Sequence, residues 1–176
     1  AFDIVKGIHP VLDQEKHSWS QSVSDHVEYL MNKHDDICVI TPAMITGSCL
    51  QRIFKNYPDR SFDVGIAEEH AMTLAAGLSQ GKESPFLSVY SSFFQRAYDQ
   101  LNHDIARMNL PCLIGIDRAG LVGGDGATHH GVFDIGLIAP IPGVIIMAPK
   151  DEEEAQKMIN TAYQNKDHPY VMRYSK

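Results

Sequence analysis

The sequence predicts a doubly wound α/β domain, in which a mostly parallel β-sheet carries helices on both faces. Short apolar runs alternate with amphipathic segments along most of the chain, and polar residues collect where the apolar runs end. A chain of 176 residues buries about 70% of its unfolded surface, which is enough for one core. Residues 1–17 mix Gly7, Pro10 and charges without periodicity, so we expect a linker or arm there and the domain over 18–176.

Each element of the first half has a local signal. Trp19, Val23 and Val27 recur at helical spacing, whereas the continuous apolar run ICVIT is typical of a buried strand. Pro58 and Gly81 are expected to end the helices that precede them. The predicted elements are a helix over 18–34, a strand over 37–41, a short helix over 49–57, a strand over 61–66, a helix over 68–80 and a strand over 85–91.

The second half continues the alternation around a glycine-rich loop, RAGLVGGDGATHHG. Asp151 is expected to cap a helix, because Glu154 three residues later completes a pattern similar to a capping box. The predicted elements are a helix over 92–108, a strand over 111–117, the loop over 118–131, a short helix over 133–138, a strand over 144–148, a helix over 151–164 and a strand over 170–174.

Composition excludes several classes of partner. The formal net charge of −7 gives no basic field for nucleic acid or for an anionic membrane. No apolar run approaches the ~20 residues that span a bilayer, and the N-terminus does not resemble a signal peptide. Cys38, Cys49 and Cys112 form no CxxC pair and are predicted to be buried thiols in a reducing compartment. We therefore expect a cytoplasmic protein.

Glu68 and Glu69 lie where a predicted strand passes into a predicted helix. Ligands of open α/β sheets bind beyond the carboxyl ends of the strands, so an acid here is well placed to contact a small molecule. Carboxylates in the first turn of a helix are also favoured by its dipole, by roughly 0.3–1 kcal/mol each. Both interpretations stay open, although the small apolar residues before Glu68 would desolvate its carboxylate, which suits proton transfer.

Two further strand ends carry polar residues. In the stretch YSSFFQRAYDQ, Phe93 and Phe94 are adjacent, so only one can face the core, and the other can stack on a ligand or add a second core contact. The loop over 118–131 is long enough to be functional. Its Arg118 can bind a phosphate or form a surface ion pair, and His129 is a better acid-base group than a zinc ligand because no four-ligand set is visible.

A resemblance to a known family rests on four ordered stretches, DVGIAEEHAMTLAAG, YSSFFQRAYDQ, DRAGLVGGDGATHHGVFD and the terminal RYSK. Over residues 18–176 the chain resembles the pyrimidine-binding domain of 1-deoxy-D-xylulose-5-phosphate synthase, a thiamine diphosphate enzyme related to transketolase. That family condenses pyruvate with glyceraldehyde 3-phosphate, releases CO2, and supplies precursors of isoprenoids, thiamine and pyridoxol. The resemblance implies a homodimer.

The resemblance also implies a role for particular residues. Glu68 matches the glutamate that hydrogen-bonds the aminopyrimidine of the cofactor and promotes its imino tautomer, and Phe93 and Ile66 match residues against the cofactor. His129 matches a residue that assists proton movement. The substrate pocket is implied to include Tyr90, Arg96, Arg118, Asp125 and Lys176, with Arg118 on the phosphate of the aldehyde.

Departures from the family pattern qualify these expectations. Glu69 stands where glutamine is common, and Lys176 replaces an arginine, so it offers a point charge instead of a fork. Separately, GDG over 124–126 also begins the magnesium motif of thiamine diphosphate enzymes, but the asparagine that this motif requires is missing, because Asn160 lies too far on and within a predicted helix, so no metal site is predicted at Asp125.

The resemblance covers only part of the family's length. We expect the diphosphate domain, which would hold Mg²⁺, and a C-terminal domain to be absent from this chain, and the chain alone to be inactive. Two alternatives are a β-type subunit fragment of a 2-oxo acid dehydrogenase and a non-catalytic dimerisation domain.

Overall fold

A six-stranded, all-parallel sheet forms the centre of the domain, with the strand order β4-β3-β5-β6-β8-β7. The structure, a computed structural model, describes residues 2–3, 7–8 and 18–176. The arm or linker expected over 1–17 therefore lies mostly outside the described residues. Within it, β1 (Phe2–Asp3) pairs antiparallel with β2 (Gly7–Ile8).

The remaining strands and helices alternate as predicted. The strands are β3 (Ile37–Thr41), β4 (Ser61–Asp63), β5 (Ser84–Tyr90), β6 (Leu113–Asp117), β7 (Ile145–Met147) and β8 (Tyr170–Arg173). The helices are α1 (Trp19–Met31), α2 (Gln51–Asn56), α3 (Glu68–Gln80), α4 (Ser91–Phe94), α5 (Tyr98–Gln100), α6 (Asp134–Ile138) and α7 (Glu152–Gln164).

Both faces of the sheet are covered, because alternate side chains of each central strand enter different cores. Leu87 and Val89 of β5 lie in the core beneath α3, whereas Phe86 of the same strand lies in the core beneath α1 and α7. The fold prediction is confirmed. Cys38 and Cys112 are buried in the sheet region, and burial raises the pKa of both thiols, that of Cys38 to about 12. Cys49 is only partly buried, so the prediction of a buried thiol is wrong at that position.

Helix ends follow the capping signals in the sequence. Ser18 accepts a hydrogen bond from the backbone N–H of Gln21 at 3.2 Å, which caps α1. Asp151 accepts one from the N–H of Glu154 at 2.8 Å, so the cap predicted for α7 is confirmed.

Two elements differ clearly from the predictions, whereas the end of α3 agrees with them. The strand expected to reach residue 66 ends at Asp63, whose carboxylate accepts from the N–H of Gly65 at 3.0 Å, and Gly65 takes a φ of 72°. The helix α3 does end before Gly81, but Lys82 takes the left-handed conformation. The single helix expected over 92–108 is instead a succession of α4, a 3₁₀ turn, α5 and a π-helical turn over Leu101–Ala106.

Within the described residues, no helix combines the length and the apolar character that a bilayer span requires.

Candidate functional site

The site lies at the carboxyl edge of the sheet, between β3 and β5. The chain passes from β3 to β4 on one side and then from β4 to β5 on the other, so the strand order reverses at this point. In open α/β sheets such a reversal opens a crevice beyond the carboxyl ends of the strands. Tyr90 ends β5 next to Asp117, the last residue of β6, and Arg118 follows directly.

Glu68 is the buried carboxylate of this site. It is the first residue of α3, and its side chain is 3% exposed, whereas its neighbour Glu69 is exposed. An Nη1 donor of Arg96 lies 2.6 Å from the Oε1 atom of Glu68, and the Arg96 side chain is 46% exposed. The sequence therefore predicted a desolvated carboxylate correctly, but it did not indicate that a guanidinium would pair with it.

Phe93 lies partly buried at the centre of an aromatic and cationic group. Its ring stacks on Tyr90 with the centroids 5.6 Å apart, and the ring of His129 meets it edge-on at 5.4 Å. The guanidinium carbon of Arg96 lies 5.0 Å from the centroid of the Phe93 ring. The neighbouring Phe94 is fully buried in the core, whereas Phe93 packs against the edge of the same core and also turns its ring toward Tyr90 and His129.

Tyr90 forms a buried wall beneath the loops. Its hydroxyl lies so close to Gly47 that a Cβ added at Gly47 would be 1.9 Å from it. Burial raises the pKa of Tyr90 to about 12, so the phenol stays protonated at neutral pH. The guanidinium carbon of Arg118 lies 3.9 Å from the centroid of the ring, which is the range of a cation–π contact.

Arg118 is held by several groups at once. Its Nε donates to Asp125 at 2.8 Å and its Nη1 donates to the Gly47 carbonyl at 3.1 Å, which leaves the side chain only 12% exposed. The second oxygen of Asp125 accepts from the Nζ of Lys176 at 2.5 Å. One carboxylate thus bridges two cations, and these hydrogen bonds, first that of Lys176 and then that of Arg118, hold the pKa of Asp125 below its ordinary value.

Asp117 lies directly beneath Arg118 and is fully buried. Its carboxylate accepts from the hydroxyl of Ser20 and from the backbone N–H of Arg118, both at 2.7 Å. Burial raises the pKa of Asp117. The backbone of Arg118 takes a φ of 58°, a left-handed conformation that costs a non-glycine residue roughly 1 kcal/mol or more and tends to occur at functional sites. The hydrogen bond from its N–H to Asp117 helps to hold this conformation.

Comparison with known proteins places this arrangement in a family. The sequence profile described as "Transketolase, pyrimidine binding domain" matches residues 15–176. The chain belongs to this transketolase pyrimidine-binding domain family.

Individual relatives agree with the assignment. The chain is 55% identical over 157 residues to 1-deoxy-D-xylulose-5-phosphate synthase of Bacillus licheniformis, and 53% identical to that of Listeria innocua, in both cases over 89% of this chain. It spans about 25% of the length of these relatives.

Solved transketolase structures share the fold. A split-gene transketolase, described as an inactive beta4 tetramer, aligns with a TM-score of 0.75 at 27% identity, over 87% of this chain and 49% of its own. A transketolase of Pichia stipitis in complex with sedoheptulose 7-phosphate aligns with a TM-score of 0.78 at 13% identity, over 88% of this chain and 25% of its own. The second match supports the fold alone.

The fold of this transketolase pyrimidine-binding domain brings nearly all of the predicted site residues together. One continuous path of contacts joins Glu68, Arg96, Phe93, His129, Tyr90, Arg118, Asp125 and Lys176. Ile66 stands apart from this path, because its side chain is 81% exposed and none of these contacts involves it.

Sequence reasoning missed three contributors to the site of this domain. Gly47 packs on Tyr90 and lies outside the stretches that carry a chemical signal, whereas Asp117 supports Arg118 and opens the stretch DRAGLVGGDGATHHGVFD, although no role was predicted for it. The third contributor is an ion pair between Arg173 and Asp134, with Nε and Oδ2 3.0 Å apart. This pair joins β8, which leads to Lys176, to the start of α6, which follows the site loop.

The described residues contain no cluster of three or more His, Cys, Asp or Glu side chains that could hold a metal ion. His129 interacts with the hydroxyl of Thr128 at 3.0 Å, and His130 accepts from the backbone N–H of Val122 at 3.2 Å. His130 therefore organises the loop, while His129 faces Phe93.

Proposed function

We propose that this chain is the pyrimidine-binding domain of a thiamine diphosphate-dependent 1-deoxy-D-xylulose-5-phosphate synthase. The complete enzyme would condense pyruvate with glyceraldehyde 3-phosphate, release CO2, and supply precursors of isoprenoids, thiamine and pyridoxol. The identity of 53–55% with the two synthases supports this assignment. The observation that carries it is the buried Glu68 carboxylate at the start of α3, next to the partly buried ring of Phe93.

These two side chains fit the pyrimidine half of the cofactor. An aminopyrimidine presents a flat aromatic face and nitrogen atoms at its edge, and these groups suit an aromatic ring and a buried carboxylate. Glu68 would hold a proton at the ring nitrogen, and Phe93 would stack on the ring. When bound, thiamine diphosphate supplies the electron sink for breaking and forming carbon–carbon bonds next to a carbonyl.

The remaining residues suit a phosphorylated aldehyde. Arg118 and Lys176 place two cations on either side of Asp125, and such a group can bind a phosphate. Tyr90 would form the wall of the substrate pocket, with its hydroxyl as a hydrogen-bond donor. His129, on the edge of Phe93, would move a proton to or from the substrate.

Other parts of the proposed enzyme would come from outside the described domain. Mg²⁺ and the diphosphate would be held by a separate domain, as the resemblance to the synthase family implies. We also propose that the complete protein is a cytoplasmic homodimer and that the chain alone is inactive. The split-gene transketolase described as an inactive beta4 tetramer supports inactivity of such a chain by itself.

The test is a matched pair of substitutions in the complete synthase that carries this chain. Glu68→Gln keeps the size of the side chain but removes its acid-base function, and Glu69→Gln makes the same change at an exposed neighbour. General acid-base catalysis contributes about 10²–10⁴-fold, so Glu68→Gln should lower kcat by at least about 100-fold. Glu69→Gln should keep kcat within about threefold, a barrier change below ~0.7 kcal/mol. Synthase turnover is measured with pyruvate and glyceraldehyde 3-phosphate.

Activity of Glu68→Gln within about threefold of wild type would remove Glu68 from the mechanism and favour a non-catalytic assembly domain. Turnover of a 2-oxo acid with a dehydrogenase acceptor, and none with glyceraldehyde 3-phosphate, would favour the dehydrogenase alternative. Detectable synthase turnover by the purified 176-residue chain alone would contradict the proposed inactivity.

A further inference from the structure

Arg96 contacts both Glu68 and Phe93, the two side chains that the proposed function assigns to the aminopyrimidine. Its Nη1 lies 2.6 Å from the Oε1 of Glu68, and its guanidinium carbon lies 5.0 Å from the centroid of the Phe93 ring. Among the described residues, Arg96 is the side chain that hydrogen-bonds Glu68. A ligand that uses the carboxylate and the ring together must therefore compete with this arginine.

A guanidinium and an aminopyrimidine share the chemistry that this site recognises. Both are planar, and both stack on an aromatic face. The guanidinium donates N–H groups to the carboxylate, whereas the ring nitrogen of a neutral aminopyrimidine carries no hydrogen, so the exchange takes up one proton from solvent, which Glu68 and the ring nitrogen then share. The match explains how one pair of side chains, Glu68 and Phe93, can accept either group without being rearranged.

The two partners of this ion pair differ in their access to water, and this decides which one moves. Glu68 is 3% exposed, so its carboxylate needs a hydrogen-bonding partner in place, because an unpaired buried charge is costly. Arg96 is 46% exposed, so its guanidinium can turn into solvent at little cost. Exchange of one partner for another is therefore favoured over simple opening of the pair.

We propose that Arg96 occupies the position of the aminopyrimidine while the site is empty. When the ligand binds, the Arg96 side chain moves away from Glu68 and Phe93. The proposal rests on the proposed function and adds that the Arg96 side chain competes with the ligand for Glu68 and Phe93. When only a fraction of the molecules has Glu68 available, the apparent dissociation constant is raised by the reciprocal of that fraction. Removing the guanidinium of Arg96 should lower the dissociation constant for the pyrimidine on the order of tenfold.

The experiment uses the 176-residue chain and the probe 4-amino-5-hydroxymethyl-2-methylpyrimidine, which lacks the thiazolium and diphosphate groups. Binding is measured by NMR titration for wild type, for Arg96→Met and for Arg107→Met. Met keeps most of the apolar stem of arginine, and Arg107, an exposed arginine that contacts His103, is the matched control. We expect Arg96→Met to bind about tenfold more tightly than wild type, and Arg107→Met to match wild type.

A second measurement uses the wild-type chain alone, so it does not depend on whether a variant folds. The side-chain Nε–Hε signal of Arg96 in the wild-type chain is followed during the same titration. It should shift with the same midpoint as the backbone amide of Glu68, because the arginine leaves as the ligand arrives. An unmoved Arg96 signal during saturable binding would overturn the proposal.

The outcomes separate this proposal from the proposed function. Equal or weaker binding by Arg96→Met would overturn the proposed role of Arg96 and leave the pyrimidine site intact. Binding that is unchanged by Glu68→Gln would contradict the role of Glu68 itself. Absence of binding by both wild type and Arg96→Met would overturn both, since uncovering Glu68 and Phe93 should then have created a site.

Discussion

The ion pair between Asp134 and Arg173 allows a quantitative test of how the site loop is anchored. The Asp134 side chain is 1% exposed and that of Arg173 is 22% exposed, and two contacts join them, Nε to Oδ2 at 3.0 Å and Nη2 to Oδ1 at 3.4 Å. Removing one partner of a buried pair leaves the other charge uncompensated, at a cost of about 3–5 kcal/mol.

The difference in exposure predicts an asymmetric result. Arg173→Met leaves a carboxylate that water cannot reach, so we expect a loss of about 3 kcal/mol, at the lower end of that range because Arg173 is partly exposed. Asp134→Asn leaves a guanidinium that can reach solvent, so we expect a loss of about 1 kcal/mol. In a chain of this size a loss of about 3 kcal/mol lowers Tm by roughly 6–12 °C.

The double variant gives the decisive comparison. Arg173→Met with Asp134→Asn removes the uncompensated charge, and the asparagine can still accept from the backbone N–H of Ile135, which lies 2.9 Å from Oδ1 of Asp134. The double variant should therefore be more stable than Arg173→Met alone. Urea unfolding followed by circular dichroism measures all three. The reasoning fails if Arg173→Met loses less than about 1 kcal/mol, or if adding Asp134→Asn lowers stability further.

Two other predictions concern the floor and the rim of the site. Gly47→Ala would place a Cβ 1.9 Å from the hydroxyl of Tyr90, so the free energy of unfolding should fall by about 1–3 kcal/mol. Adding Tyr90→Phe removes the hydroxyl and should restore part of this loss. An unchanged free energy of unfolding would contradict the packing of Gly47 on Tyr90. Hydrogen bonds from Lys176 and Arg118 lower the pKa of Asp125 in the folded protein. The carboxylate of Asp125 therefore stabilises the fold fully above its unfolded pKa, near 3.8, and this contribution is lost as pH falls through the lower folded pKa. The stability advantage of wild type over Asp125→Asn should therefore be full at pH 6 and shrink below about pH 4, and an advantage that is independent of pH would refute this account.

The elements of this fold could be predicted because their signals are local. Helix α3 begins at Glu68 and ends at Gln80 as predicted, and the apolar run of β3 matches its strand residue by residue. The early end of β4 could not be predicted from periodicity, because a side chain to backbone turn at Asp63 stops the strand. Likewise, apolar spacing does not distinguish an α-helix from the π-helical turn that begins at Leu101.

The sequence names residues that the structure places close together, but it does not indicate which of them pair. Motifs name single residues, whereas the contacts between Glu68 and Arg96, or between Asp125 and Lys176, join positions far apart in the sequence. Several of the side chains predicted to bind a ligand form hydrogen bonds with each other in the structure. That is a property of three-dimensional distances, and no local pattern in the chain reports it.

The site consists of a fixed floor and an adjustable rim, and the two should respond differently to substitution. Tyr90 and Asp117 are buried at the ends of the central strands β5 and β6, so changes there alter the core and should lower stability and ligand binding together. Arg96 and Lys176 are exposed side chains whose partners are carboxylates of the site itself. A change at Lys176 should alter ligand binding far more than the free energy of unfolding, because both partners of its ion pair with Asp125 reach solvent and such pairs contribute little to stability. A change at Arg96 should alter both, because it leaves the buried carboxylate of Glu68 without its partner.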